Sequence, residues 1–438
     1  MIETGDSEAA RPGKTPTFIQ TAVTTTIEKL DRWRQITEEE AKLVYEMTLR
    51  NELSGGTPVV RDFEQKWREL TGLKYALTTC NGTAALYSAF FGLGVGPGDE
   101  VICPSYTWIC TISPVPFLGA KPVFCESDPN TMQIDPDDVR RRITSRTRAI
   151  VVVHLWGWVA DMDAIMALSR ETGVPVIEDC SHAHGATYKH RPVGSIGQVG
   201  AWSLQGTKPI SAGEGGVLAT DDPEIFDRAC LAGQVNRMAG MDLQTSSYQE
   251  HQPLGTGMKF RAHPLGIGIA LVQLGKLGAL NDRRRRYVAA LESGLEDIPG
   301  LEPVPTSPGS TRGGLYAFPV HYRSEQLGGL AKERFCELLT AAGVPASGSP
   351  YGLLHRLPLF ADGFDLFTGN RGPLIEGWSG YKPGDLPVTE KMHAGLVFLP
   401  MLSDPVAGAV EQILTVIRKS ADNARALSQS RPGLPMGP

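Results

Sequence analysis

The chain has 438 residues, of which 41% are hydrophobic and 21% charged, with a formal net charge of −6. That length supports two or three domains with large cores, and the mild acidity gives no basic footprint for nucleic acid or an anionic membrane. No apolar run of transmembrane length and no signal-peptide core are expected, and seven cysteines without a C-x-x-C pair argue against a disulfide framework or a zinc cluster. A cytoplasmic protein with buried thiols is the expectation.

In chain order, residues 1–35 read as an N-terminal arm, polar and Pro/Gly-bearing at its start and partly disordered. A helical pattern runs from Glu38 to Asn51. In "VVRDFEQKWRELTG", Phe63, Trp67 and Leu70 recur at helix spacing and Gly72 is a stop. Short β-branched runs follow: "KYALTTC", "EVICPS", "PVFCES", "RAIVVVHLW" and "VPVIEDC", some separated by helical patterns such as "DMDAIMALSRETG". Alternating strands and helices predict an α/β fold with a mostly parallel sheet covered on both faces. A long helical run begins near Gly268, and shorter mixed elements follow it. The division expected is a large domain over 36–270, a smaller α+β domain over 271–425, and a tail over 426–438.

Four stretches could carry chemistry. In "CNGTAALYSAFF" a strand ends, Gly82 turns the chain and a helix opens at Thr83–Ala84. The N–H groups and dipole of such a helix end suit a phosphate, although a plain strand-to-helix turn looks the same. The spacing fits neither a P-loop nor a dinucleotide fingerprint. In "VPVIEDCSHAHGA", Asp179 ends a buried parallel strand, where open α/β sheets place ligands, and a carboxylate there needs a cationic partner. His182 and His184 alone are too few for a catalytic metal, so none is assigned. Lys208, in "WSLQGTKPISAGEGGVLATDD", lies between a strand-like run and a glycine-rich turn, and Pro209 biases it towards extended backbone. A lysine with a lowered pKa can react with a carbonyl; the ordinary alternative is a solvated side chain. Trp108, in "PSYTWICT", is either a core aromatic or a flat face for a ring. A phosphate cup, a stacking aromatic, a strand-end Asp and a loop Lys together are what pyridoxal 5′-phosphate needs.

These same pieces, "NGTAAL", "GDEVICPSYTW", "VIEDCSHAHGA" and "TKPISAGEGGVLATDD" in that order, resemble the DegT/DnrJ/EryC1/StrS family of pyridoxal-phosphate sugar aminotransferases. The resemblance covers about Gly55 to Met401. It implies the aspartate-aminotransferase fold (fold type I), with a seven-stranded type of sheet in the large domain. By resemblance, Lys208 holds the cofactor aldehyde and shuttles the proton, and Asp179 pairs with the pyridine nitrogen. Trp108 stacks on the ring, Gly82, Thr83 and Ala84 form the phosphate turn, and Ser203 adds a hydroxyl to it. His182 stands where many members have Gln near the ring hydroxyl. Two positions depart from the common pattern. Gln205 replaces a His three residues before the lysine, as in the branch that aminates cyclitols such as scyllo-inosose and in the aminohydroxybenzoate synthases. Lys259, in "GMKFRAHPLG", replaces an Asn that reaches the neighbouring subunit's phosphate, leaving Lys259 or Arg261 for that task.

The resemblance implies a homodimer with shared active sites, with Asn236 and Arg237 near the interface. It also implies small-molecule substrates: L-glutamine or L-glutamate as donor and a keto-cyclitol or keto-sugar as acceptor, in aminoglycoside or other secondary-metabolite biosynthesis. In the C-terminal domain, His355 and Arg356 of "SPYGLLHRLPLF" are candidate substrate residues. An aromatising synthase or dehydratase, and a non-catalytic regulator on the same fold, stay open as alternatives.

Overall fold

A computed structural model describes residues 27–237 and 243–429. Residues 1–26, which include the opening stretch expected to be mobile, and residues 430–438 of the expected tail lie outside the described residues, whereas 426–429 of that tail continue the helix Ala409–Gln429. The strands of the first half are β1 (Tyr75–Thr79), β2 (Glu100–Pro104), β3 (Lys121–Cys125), β4 (Thr147–Val153), β5 (Val176–Asp179), β6 (Thr187–Tyr188), β7 (Arg191–Pro192), β8 (Val199–Ser203) and β9 (Gly216–Thr220). Seven of them make one sheet in the order β1-β9-β8-β5-β4-β2-β3. Only β9 runs against the rest, pairing antiparallel with both β1 and β8. The continuous apolar run 149–153 of β4 and the Val176–Ile177 pair of β5 follow from burial on both faces, which a helix-covered parallel sheet imposes. Ile150, Val151, Val152, Val176 and Ile177 have no exposed surface.

The helix Pro58–Thr71 shows why the local signals work. Proline stands at its first position, Gly72 ends it in the left-handed conformation (φ 73°), and Val60, Phe63 and Trp67 form its buried face. Five cysteines are buried, Cys80 and Cys110 are partly exposed, and none of the seven forms a disulfide.

Beyond the sheet, the helix Pro264–Leu295 runs without interruption through position 270, where the large domain was expected to end. It packs on the helices Glu38–Leu49 and Pro58–Thr71, and also on the helix Ala409–Gln429 and the strand Leu301–Pro303 of the C-terminal unit. By length and composition it is apolar enough to cross a membrane, a property not expected from the sequence. Its Ile267, Ala270, Leu277 and Leu280 are buried against the neighbouring elements.

The C-terminal unit is built on an antiparallel sheet of β10 (Leu301–Pro303), β12 (Phe318–Tyr322) and β13 (Leu396–Leu399). The short β11 (Ser310–Thr311) leaves that unit to pair with β6. The N-terminal segment is fastened here too. Asp31 accepts from the N–H groups of Ser403 and Asp404, and Leu30 is buried.

Candidate active site

A cavity of about 480 Å³ opens at the carboxyl ends of β5 and β8, beside the start of the helix Gly82–Gly92. This size suits a small-molecule site. Gly82, Thr83, Trp108, Asp179, His182, Ser203, Gln205 and Lys208 all line it. Ala84 does not line it, and Lys259, expected to reach the neighbouring subunit's phosphate, lies outside the cavity of its own chain.

The helix start is fixed by Asn81, whose Oδ1 accepts from the Ala84 N–H at 2.8 Å. That N–H is therefore used inside the cap, and Gly82 and Thr83 form the edge facing the cavity. Gly82 must lack a side chain: a Cβ there would lie 2.8 Å from Cβ of Ser203.

Asp179 is the last residue of β5 and is 4% exposed. Its Oδ2 accepts from Thr111 Oγ1 at 2.8 Å and its Oδ1 from the Ser181 N–H at 3.1 Å. Two neutral donors leave acceptor capacity on a carboxylate, the provision a cationic ring N–H needs.

Lys208 closes a turn in which its N–H donates to Gln205 O at 2.8 Å, and Gln35 Nε2 donates to Lys208 O at 3.0 Å. The side chain is 9% exposed. Burial pushes its ammonium pKa down to about 8, against the opposing pull of Asp179 and Cys110. The ammonium lies 3.9 Å from the ring centroid of Tyr316.

His182 accepts at Nδ1 from the Trp156 N–H (3.2 Å), so its proton sits on Nε2, 3.2 Å from Tyr351 Oη. Burial and the Lys208 charge hold its pKa well below the ordinary histidine value, and the ring is neutral. His184 points elsewhere, to Ser203 O at 3.0 Å, and burial lowers its pKa to about 3. The two histidines therefore do not share a ligand.

Trp108 stands at the mouth, half exposed, its ring 5.0 Å from that of Tyr351. Gln205 Oε1 accepts from the N–H and Oγ1 of Thr207, at 2.9 and 2.8 Å. This fixes the side-chain amide of Gln205 at the cavity wall.

Other expected residues lie apart. The His355 ring is fully buried, with Nδ1 2.6 Å from Ser105 Oγ and Nε2 2.9 Å from Glu390 Oε1. It joins the end of β2 to the C-terminal unit and does not line the cavity; Arg356 is exposed outside it. Lys259 is exposed, bridged to Gln234. Asn236, Arg237 and Arg261 line a second cavity, where Arg237 pairs with Glu64 at 2.6 Å. Sequence reasoning missed Thr111, Thr207, Tyr316 and Tyr351. Thr111 and Thr207 stand at the ends of quoted motifs and Tyr351 lies in the stretch read for His355 and Arg356, so their positions carried a signal that went unused; Tyr316 lies outside every motif.

A buried lysine of lowered pKa, a strand-end carboxylate and a helix start meeting at one cavity of a mostly parallel sheet define a pyridoxal-phosphate enzyme of fold type I. The chain belongs to the DegT/DnrJ/EryC1/StrS aminotransferase family, whose model matches residues 34–418. It is 34% identical over 373 residues to L-glutamine:scyllo-inosose aminotransferase of Streptomyces griseus, covering 84% of this chain and 87% of that protein. Its fold is similar to that of the aminotransferase from Psychrobacter cryohalolentis (TM-score 0.76, 28% identity, 89% of this chain and 98% of that one). It is also similar to 3-amino-5-hydroxybenzoic acid synthase (TM-score 0.75, 25% identity, 90% of this chain and 98% of that one). Pyridoxal phosphate is the cofactor of this enzyme. The donor set fits it: a helix start that tolerates no Cβ at Gly82, a carboxylate with lone pairs to spare, and a buried primary amine.

Proposed function

We propose that this enzyme transfers the amino group of L-glutamine to the carbonyl carbon of a keto-cyclitol. The observation that carries the reading is the convergence of Lys208, Asp179 and the Gly82–Thr83 turn on one cavity, with Gln205 in its wall. The relative from Streptomyces griseus, named for glutamine and scyllo-inosose, supports the choice of donor and acceptor.

Bound pyridoxal phosphate supplies an electron sink for the carbon that carries the amino group. In this reading, Gly82 and Thr83 hold the phosphate with Ser203, and Asp179 keeps the ring nitrogen protonated. Trp108 would cover the ring, and the Nε2–H of His182 would be available to the ring hydroxyl. Lys208 Nζ would hold the aldehyde, and as a free amine it would take the proton from the donor's α-carbon and give one to the acceptor's carbon. Its lowered pKa serves this, because a neutral amine is both nucleophile and base.

A homodimer belongs to the same proposal. Tyr45 and Leu49, one turn apart on the helix Glu38–Leu49, and Leu53 just beyond its end are exposed apolar side chains, and Lys259 and Arg261 lie outside their own chain's cavity. Mixing inactive Lys208→Ala and Arg261→Ala proteins tests it. Recovered activity in the mixture supports shared sites; additive inactivity together with a monomeric mass sinks them.

The function is tested by the visible spectrum. The purified protein with added pyridoxal phosphate is expected to show a yellow band that borohydride fixes on Lys208, and Lys208→Ala to lose both band and activity. L-glutamine then converts the band, and scyllo-inosose restores it. A protein that takes up no cofactor, or that glutamine leaves unchanged, overturns the reading.

A further inference from the structure

Tyr316 reaches the cavity from the C-terminal unit, in the loop between β11 and β12. It touches three parts of the site. Its ring lies under the Lys208 ammonium at 3.9 Å and stacks on His182 (centroids 4.5 Å apart, 18° between planes). Its hydroxyl is 2.6 Å from Thr207 Oγ1, which donates in turn to Gln205 Oε1 at 2.8 Å.

The loop is fixed at considerable conformational cost. Leu315, just before Tyr316, is fully buried at φ 47°, a region a branched apolar side chain rarely occupies. Buried hydrogen bonds hold it there. Arg284 donates to Gly314 O, Asn281 Oδ1 accepts from the Gly314 N–H at 2.9 Å, and the Tyr316 N–H donates to Trp156 O at 3.0 Å. Opposite, Gly157 (φ 98°) leaves no room for a side chain, since a Cβ there would lie 2.6 Å from Gly313 O. Backbone strain secured by dedicated buried partners is how a fold sets one side chain at one spot, and the side chain so set is Tyr316.

We propose that Tyr316 is a positioning residue with two tasks: its ring holds the Lys208 ammonium whenever that lysine is not covalently engaged, and its hydroxyl, through Thr207, aims the Gln205 amide at the keto acceptor. This rests on the aminotransferase reading above. The two tasks separate by chemistry. The ring's negative face attracts a cation whether or not the hydroxyl is present. The hydroxyl acts on Gln205 whether or not the lysine is charged.

The experiment therefore uses Tyr316→Phe, which keeps the ring, and Tyr316→Leu, which keeps apolar bulk without a ring. In cofactor-free protein, acetylation of Lys208 is followed against pH by mass spectrometry of its peptide. The midpoint is expected to be unchanged in Phe and to fall by about one unit in Leu, because loss of the ring disfavours the ammonium. In the loaded enzyme, Tyr316→Phe is expected to leave the glutamine half-reaction within about twofold and to raise the acceptor KM about tenfold, a loss typical of one hydrogen bond. In a Gln205→Ala background the same substitution is expected to change nothing further. Equal midpoints in wild type and Leu overturn the first task. An unchanged acceptor KM in Phe, or additive losses in the double variant, overturn the second. The acetylation arm needs no cofactor, so failure of the aminotransferase reading leaves it able to judge the ring.

Discussion

The sheet edge and the C-terminal unit build the same cavity in different ways. From the sheet edge come the charges and the phosphate cup: Asp179 at the end of β5, Lys208 after β8, and the Gly82–Thr83 turn after β1. The C-terminal unit contributes two uncharged rings, Tyr316 and Tyr351, packed on His182. Bond-making chemistry thus sits on a buried, hydrogen-bonded sheet, where geometry is hard to disturb. The rest of the cavity wall combines the loop after β8 with loops of the second unit, where sequence change costs the fold less. Under the proposed function this is a division of labour, with the reaction type set on the sheet and the acceptor chosen at the seam.

The largest effect expected, Lys208→Ala aside, is that of Asp179→Asn. The amide keeps an acceptor oxygen for Thr111 but carries no charge for the ring nitrogen. Removing one partner of a buried charged hydrogen bond costs about 2–5 kcal/mol, so turnover should fall roughly 10²–10³-fold with the fold intact by circular dichroism. Because the Asp179 charge raises the Lys208 pKa, the same substitution should shift the Lys208 midpoint to still lower pH. A loss below tenfold would mean that the sheet edge does not hold the reactive charge.

Next comes Gly82→Ala. Its Cβ meets Ser203 at 2.8 Å, so the helix start or β8 must move, at about 1–3 kcal/mol. The dissociation constant for pyridoxal phosphate, measured by fluorescence titration, should rise about ten- to a hundredfold. An unchanged constant would place the phosphate elsewhere.

A smaller effect is the pH dependence of cofactor capture. Only the neutral amine attacks an aldehyde, and the Lys208 pKa of about 8 lies below the ordinary lysine value because of burial. The neutral fraction, and with it the rate of capture by cofactor-free protein, should rise about tenfold between pH 7 and pH 9 and then level off. A rate still climbing steeply above pH 10 would show a solvated lysine.

How legible each region was follows from the same contrast. Lys208, Asp179, Gly82, Thr83 and Trp108 stand in contiguous motifs, because a strand end and the loop after it place neighbours in sequence at one point in space. The helix Pro58–Thr71 was readable for a related reason, its proline, glycine and apolar spacing all being local. Tyr316 carries no such mark, and Tyr351 stands in a stretch read only for His355 and Arg356, since what brings both to His182 is the packing of one unit on another. His355 shows the opposite error. A histidine followed by an arginine looks like a substrate site in sequence, yet tertiary packing draws its ring inward between Ser105 and Glu390. The long helix Pro264–Leu295 blurred the expected domain boundary because it serves both units with one uninterrupted pattern.

His355 also gives the smallest expected change in catalysis. In His355→Ala, Ser105 Oγ loses its 2.6 Å partner in a site with no exposed surface, and Glu390 loses its imidazole. An emptied ring cavity with an orphaned hydroxyl should cost about 2–4 kcal/mol of stability, read as a lower urea midpoint with an unchanged slope. The folded fraction should nevertheless keep its turnover and its acceptor KM within about twofold, because the ring lies outside the cavity wall. Arg356→Ala, an exposed substitution, should change neither. An acceptor KM raised tenfold at undiminished stability would move the acceptor pocket deeper into the C-terminal unit than the Tyr316–Tyr351 wall, and the seam would then do more than choose the acceptor's face.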